Sequence, residues 1–136
     1  MDLKGMVALV TGGNGGLGQR ICHALAQEGA HLAVMYARSR DQAEGVAAEL
    51  ASRHQINAQA FACDITDDAA VQRLVGDVVR TFGRLDILIN DAAYNVSIPF
   101  GDLDSLSLEV WEKIMAVNLT GPMRLTKAVA PHMKAQ

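Results

Sequence analysis

The stretch Thr11-Gly12-Gly13-Asn14-Gly15-Gly16-Leu17-Gly18 packs five glycines into eight residues. Just before it, Met6-Val7-Ala8-Leu9-Val10 is continuously apolar and contains β-branched residues. That is the pattern of a short strand buried on both faces, as parallel sheets require. Just after it, Leu17, Ile21 and Leu25 recur at helical spacing until Gly29, a stop signal. A bare loop between a buried strand and an amphipathic helix predicts the start of a βαβ unit.

The rest of the chain continues the alternation. A second strand is predicted at residues 32–36. Ser39 and Gln42 then form a capping box for a helix with the stripe Ala43, Val46, Ala47 and Leu50. Residues 58–63 read as a third strand. Thr66 or Asp67 opens a helix with stripe Val71, Leu74, Val75, Val78, Val79 and Phe82, which Gly83 ends. Residues 85–89 form a fourth strand, apolar on both faces. A last, long helix starts near Ser107 and runs through Leu108, Trp111, Met115 and Leu119, with a kink at Gly121-Pro122. Four strands alternating with four helices predict an α/β fold, a doubly wound parallel sheet of Rossmann type with strand order 3-2-1-4. No linker, repeat or low-complexity tract divides residues 1–136.

Composition narrows the possible partners. The chain has 136 residues, half of them hydrophobic, which suits one modest core. A net charge of −3 argues against a nucleic-acid surface, and 4% aromatic residues against a base-stacking platform. No apolar run reaches the ~18 residues of a membrane span. Residues 1–5 do not read as a signal peptide, so a cytoplasmic protein is expected. Cys22 and Cys63 lie in apolar runs without metal spacing and read as reduced core thiols.

A glycine loop at a helix N-terminus lets a pyrophosphate reach unpaired backbone N–H groups that carry partial positive charge. Two registers fit: Gly13-x-Gly15-x-x-Gly18, and Thr11-Gly12-x-x-x-Gly16-x-Gly18. No Gly-Lys-Ser/Thr follows, which excludes a Walker-type loop. The second strand ends Tyr36-Ala37-Arg38-Ser39-Arg40, without the carboxylate that would hold an adenosine ribose 2′-hydroxyl. A guanidinium pairs with a 2′-phosphate instead, so NADP(H) is expected, with Arg38 and Ser39 on that phosphate. The alternative is that Arg38 and Arg40 are solvated charges at a helix start.

With these residues in hand, the chain resembles the classical short-chain dehydrogenase/reductase family, from Leu3 to its end. The resemblance rests on Thr11-Gly12-x-x-x-Gly16-x-Gly18, Asp64 after the third strand, Asn90-Asp91-Ala92-Ala93 after the fourth, and Val117-Asn118-Leu119-Thr120-Gly121 in the last helix. The Tyr36 to Ser39 segment is similar to NADP-preferring, 3-oxoacyl-carrier-protein-reductase-like members. The resemblance implies that Gly12, Gly16 and Gly18 line the pyrophosphate, with Asn14 and Leu17 beside it. It also implies that Asp64 accepts from the adenine amino group with Ile65 packed nearby, and that Asn90 and Ala92 pass close to the ribose. Asn118 matches the asparagine of the catalytic tetrad. Asp64 as a plain turn residue, and Asn118 as a buried structural asparagine, stay open beside these roles. The family's usual Asn-Asn-Ala-Gly is here Asn-Asp-Ala-Ala, and Gly15 stands where many NADP-using members carry a base.

The family's chemistry also needs a tyrosine, a lysine four residues later, and an upstream serine. Tyr36 is followed four residues later by Arg40, and Tyr94 by Ile98. The chain is therefore expected to be the N-terminal half of a ketone/alcohol oxidoreductase, truncated before its catalytic Ser, Tyr and Lys. An edge position for so apolar a fourth strand supports that expectation. The alternative is an inactive nucleotide-binding or interaction module of this length. Small carbonyl or alcohol substrates and a homo-oligomer, dimer or tetramer, are what the resemblance implies.

Overall fold

The computed structural model describes residues 2–136. Its elements follow in the order β1 (Val7–Thr11), α1 (Gly16–Gln27), β2 (His31–Tyr36), α2 (Arg40–His54), β3 (Ala58–Ala62), α3 (Asp68–Phe82) and β4 (Ile87–Asn90). A 3₁₀ turn (Leu103–Ser105), α4 (Leu108–Met115), a π turn (Ala116–Thr120) and α5 (Gly121–Ala135) complete the chain. The four strands pair in parallel in the order β3-β2-β1-β4. Thr11 lies opposite both Met35 and Asn90, so the glycine loop leaves the sheet beside the carboxyl ends of β2 and β4.

Alternation along the strands divides the core into two layers. Val7, Leu9, Ala33 and Met35 pack with Val71, Leu74, Val75 and Leu125 under α3 and α5. Ala8, Val10, Leu32 and Val34 pack with Cys22, Ala26, Val46 and Leu50 under α1 and α2. β1 is buried along its whole length. β4 differs: Leu85, just before it, is buried, but Ile87, Leu88 and Ile89 are only half-buried. Among the described residues no strand covers its outer edge. The apolar fourth strand thus stands at the sheet edge, as the order 3-2-1-4 requires.

Asp67 rather than Thr66 caps α3, its Oδ1 accepting from the Ala70 N–H at 3.2 Å. Gly83 closes that helix with φ +80°. Ser107 caps α4 through the Val110 N–H at 3.2 Å. The capping box at Ser39 does not form. Ser39 is left-handed (φ 62°, ψ 64°) and makes no side-chain cap, because an N-cap hydroxyl reaches the first turn from extended backbone. Gln42 instead accepts a hydrogen bond from Asn14 Nδ2 at 3.3 Å. The predicted kink lies one turn ahead of Gly121-Pro122, as the π turn, where the Gly121 N–H bonds the Ala116 carbonyl. Pro122 has no N–H to offer its own turn, which favours a break there.

Both cysteines are free and buried. Burial pushes the Cys22 thiol up to about 12 and the Cys63 thiol to about 11, so neither is a reactive thiolate. No helix among the described residues is long and apolar enough to cross a membrane.

Asp86 ties the start of β1 to the approach to β4. Its carboxylate accepts from the Val7 N–H at 2.8 Å and from the Arg84 guanidinium at 2.8 and 2.7 Å. Arg84 first, and the Val7 N–H after it, hold Asp86 below the usual carboxylate range. A depressed folded value stabilises above the unfolded value and is lost as pH falls through the folded one. Urea titrations should therefore show Asp86→Asn costing about 1–2 kcal/mol at pH 7. The variant's deficit should begin to shrink below about pH 4, the unfolded value, and vanish as pH falls through the lower folded one.

Candidate functional site

The glycines of the loop have separate geometric duties. Gly12 has φ +65°, and a Cβ there would lie 3.1 Å from Ala92 Cα. A Cβ on Gly18 would lie 2.1 Å from the Gly12 carbonyl oxygen, so α1 can touch the loop only without a side chain. A Cβ on Gly13 would press on Val34 Cγ1 at 3.0 Å, which makes it a packing residue. A Cβ on Gly16 meets nothing within 4 Å. Of the two registers, the one through Gly12, Gly16 and Gly18 combines a close chain crossing, an open position and a tight helix contact.

That open position is the first residue of α1, whose N-cap Gly15 offers no side chain and whose first turn holds no acid. First-turn N–H groups have no partners within their helix, so the site suits an anion that can approach closely. Leu17 stands beside it, 64% exposed. The loop is fixed from behind: the Gly15 N–H donates to the Gly12 carbonyl at 2.8 Å, and Gln19 Nε2 to the Asn14 carbonyl at 2.7 Å.

Asn14 joins this loop to the end of β2. Its Nδ2 donates to the Arg38 carbonyl at 3.1 Å, bringing the Arg38-Ser39 turn beside the glycines. Arg40 pairs with Glu44 at 2.7 Å along α2, whereas Arg38 lies exposed at the strand end. The two arginines, equivalent in sequence, are thus separated by their neighbours.

Asp64 is exposed after β3, its Oδ1 accepting from the Thr66 N–H at 2.9 Å and hydroxyl at 2.7 Å. The Thr66 hydroxyl bond, and then the backbone one, hold this carboxyl below its usual range. The turn role is therefore filled, and Oδ1 is already engaged. Ile65 is buried, and a Cβ on Gly121 would sit 2.8 Å from its Cδ1. Its side chain belongs to the contact between the sheet layer and α5.

Asn90 ends β4 exposed, and Ala92 donates its N–H to Thr11 Oγ1 at 2.9 Å. The Asp91 N–H donates to the same oxygen at 3.0 Å, and the Thr11 hydroxyl faces the Ile89 carbonyl at 3.4 Å. Thr11 is 1% exposed, the buried polar residue that fastens the loop after β4 to the start of the glycine loop. In the sequence it stands only as the first residue of the glycine motif. Its signal was a hydroxyl at the end of an otherwise apolar strand.

Asn118 lies in the π turn and is exposed rather than buried. Its Oδ1 accepts from the Tyr94 N–H and its Nδ2 donates to the Tyr94 carbonyl, both at 2.8 Å. Lys113 Nζ stands 4.3 Å above the Tyr94 ring centroid, against its face. Gly12, Asn14, Gly16, Arg38, Asn90 and Ala92 thus converge at the carboxyl end of the sheet, and Asn118 reaches the same end through the loop that follows β4.

The model of the short chain dehydrogenase family matches residues 6–136. The sorbose reductase of Schizosaccharomyces pombe is 35% identical over 136 residues, covering 99% of this chain and 52% of that protein. The crystal structure of an NAD⁺-bound xylitol dehydrogenase superposes with a TM-score of 0.89 at 32% identity, covering 100% of this chain and 51% of its own. A short chain dehydrogenase from Burkholderia cenocepacia J2315, solved with NADP, gives a TM-score of 0.89 at 34% identity, covering 98% and 53%. The chain spans about half the length of these relatives. With its strand order, its glycine loop and a family match over almost its whole length, the chain belongs to the short chain dehydrogenase family.

Proposed function

We propose that this chain is the N-terminal part of a single NAD(P)-binding Rossmann domain, in an NADP(H)-dependent oxidoreductase that interconverts a ketone and a secondary alcohol. The observation that carries the reading is the open Gly16 position at the N-terminus of α1, a cradle that a Cβ on Gly16 would fill. Gly12, Gly16 and Gly18 would receive the pyrophosphate, with Asn14 and Leu17 at its sides. Arg38 and Ser39 would take a 2′-phosphate; Asp64 and Ile65 would border the adenine, and Asn90 and Ala92 the ribose. The bound dinucleotide would supply or accept the hydride.

Asn118 holds the Tyr94 backbone, and through it the loop that borders the reacting end. The two tyrosines lack a lysine four residues on, so the proton donor is assigned to residues outside this chain. A homo-oligomer and a cytoplasmic location complete the proposal. Relatives include both NAD⁺- and NADP-bound structures, so the preference for NADP(H) rests on Arg38 and on the lack of a carboxylate after β2.

Fluorescence titration of the intact protein with NADPH and NADH tests the reading. Arg38→Glu is expected to weaken NADPH about 10- to 100-fold, by replacing a charge-assisted pair with repulsion. NADH affinity should change by less than about threefold. Equal losses for both cofactors, or none for NADPH, would remove Arg38 from the phosphate site.

A further inference from the structure

On the far flank of the α1/α2 layer, His23 of α1 and His54 of α2 face each other, both half-buried. His23 Nδ1 and His54 Nε2 are 3.0 Å apart, a hydrogen-bond distance. The ring centroids are 5.3 Å apart, so the two nitrogens meet head-on along the line joining the rings. The other nitrogen of His23, Nε2, stands 3.6 Å from Glu49 Oε1. Arg20 of α1 and Arg53 of α2 line a cavity of about 320 Å³ beside both rings, and Arg53 reaches Glu49 at 3.5 Å.

We propose that this histidine pair is a pH-sensitive clasp between α1 and α2, which one added proton leaves closed and a second opens.

The number of hydrogens between the rings decides its state. A nitrogen–nitrogen contact this short has room for one hydrogen, donated by one ring to the lone pair of the other. In the neutral pair, Glu49 favours the His23 tautomer with its proton on Nε2, so His54 Nε2–H donates to His23 Nδ1. A first added proton keeps the contact. One ring becomes an imidazolium and donates to the neutral ring, which makes the bond charge-assisted. With both rings protonated, N–H would face N–H at 3.0 Å, with no acceptor left and like charges opposed. The rings must then part.

The charges around the pair resist that second proton. Arg20 and Arg53 add positive charge beside it, and Glu49 is shared between His23 and Arg53. Desolvation first, then His23 and Arg53, lowers the His54 pKa, with Glu49 the weakest influence and opposed to them. A lowered folded value means that the unfolded chain takes the proton more readily. Stability is therefore full above the unfolded value of about 6.5 and falls as pH drops towards the folded one. At the opposite end of α2, Asn14 holds the Arg38 carbonyl and the Gln42 side chain, groups that do not titrate. Opening is thus confined to the carboxyl end of α2.

Three measurements on the intact protein test the clasp. Nitrogen-15 NMR of the histidine rings between about pH 8 and 4.5 should show the pair titrating in two steps at least about one pH unit apart. Hydrogen-exchange protection from Ala51 to Gln55 should fall about tenfold between about pH 7.5 and 5, while that of residues 43–46 holds. His54→Gln and His23→Gln each put at the contact an amide that can donate or accept and cannot gain a proton. On the same pH change these variants should lose about 3–6 °C less in Tm than the wild type, with circular dichroism confirming their fold. Both rings titrating independently near pH 6.5 would overturn the proposal. So would protection that is unchanged or lost equally along α2, or an equal Tm loss in the wild type and both folded variants.

Discussion

Gly18→Ala is expected to destabilise the chain by about 3 kcal/mol or more, while Gly16→Ala, two residues away, changes stability by less than about 0.5 kcal/mol. The contrast follows from what each added methyl would meet. At Gly18 the obstacle is backbone: the Gly12 carbonyl oxygen at 2.1 Å, its carbon at 2.8 Å and Gly13 Cα at 2.9 Å. No rotamer change relieves such a contact, so α1 must lift from the loop that it closes. At Gly16 there is open space, and alanine is the better helix former. Its methyl would meet only a ligand, so Gly16→Ala should retain wild-type urea stability and weaken NADPH at least tenfold. Denaturant titration and fluorescence binding on the same samples separate the two effects. Wild-type affinity in Gly16→Ala would mean that no anion reaches the helix start.

Thr11→Val is expected to be comparably severe, about 2–6 kcal/mol. Valine preserves the shape and removes an oxygen that two backbone N–H groups share, at 3.0 and 2.9 Å. Each donor left without a partner in a part-buried setting costs about 1–3 kcal/mol. Thr11→Ser keeps the oxygen and should recover most of the loss. Hydrogen exchange should report faster exchange at the Asp91 and Ala92 amides in Thr11→Val and near-normal exchange in Thr11→Ser. Unchanged exchange in the valine variant would show that those amides find other acceptors.

What the sequence made legible was what local physics decides. Met6 to Val10 followed by glycines could serve only as a buried strand running into a close turn, and the strand order followed from the alternation of elements. Gly83 was readable as a helix end because its left-handed backbone is a local requirement. Ser39 misled for the opposite reason. Its spacing to Gln42 fits a capping box, yet Asn14, 28 residues before Gln42, claims that glutamine. The packing of the buried Ile65 side chain against Gly121 on α5 joins residues far apart in sequence, which no local spacing encodes. The pairing of His23 with His54 spans 31 residues and depends on how two helices lie on one sheet face, which no short motif encodes. Spacing reveals what neighbours in sequence do, and long-range competition for a side chain escapes it.

The π turn acts as a phase shifter. In one unbroken α-helix, Trp111 and Leu125 would point within about 40° of each other, since 14 steps of about 100° return almost to the start. The extra residue in the turn from Ala116 to Thr120 takes up about one such step, so the stripes on either side no longer share a direction. Leu125 and Val129 face the core against α3 and β4, while Leu108 and Trp111 stay 71% and 50% exposed. A single stretch of sequence thereby presents two independent faces. Deleting one residue from the turn should bring those faces back into line.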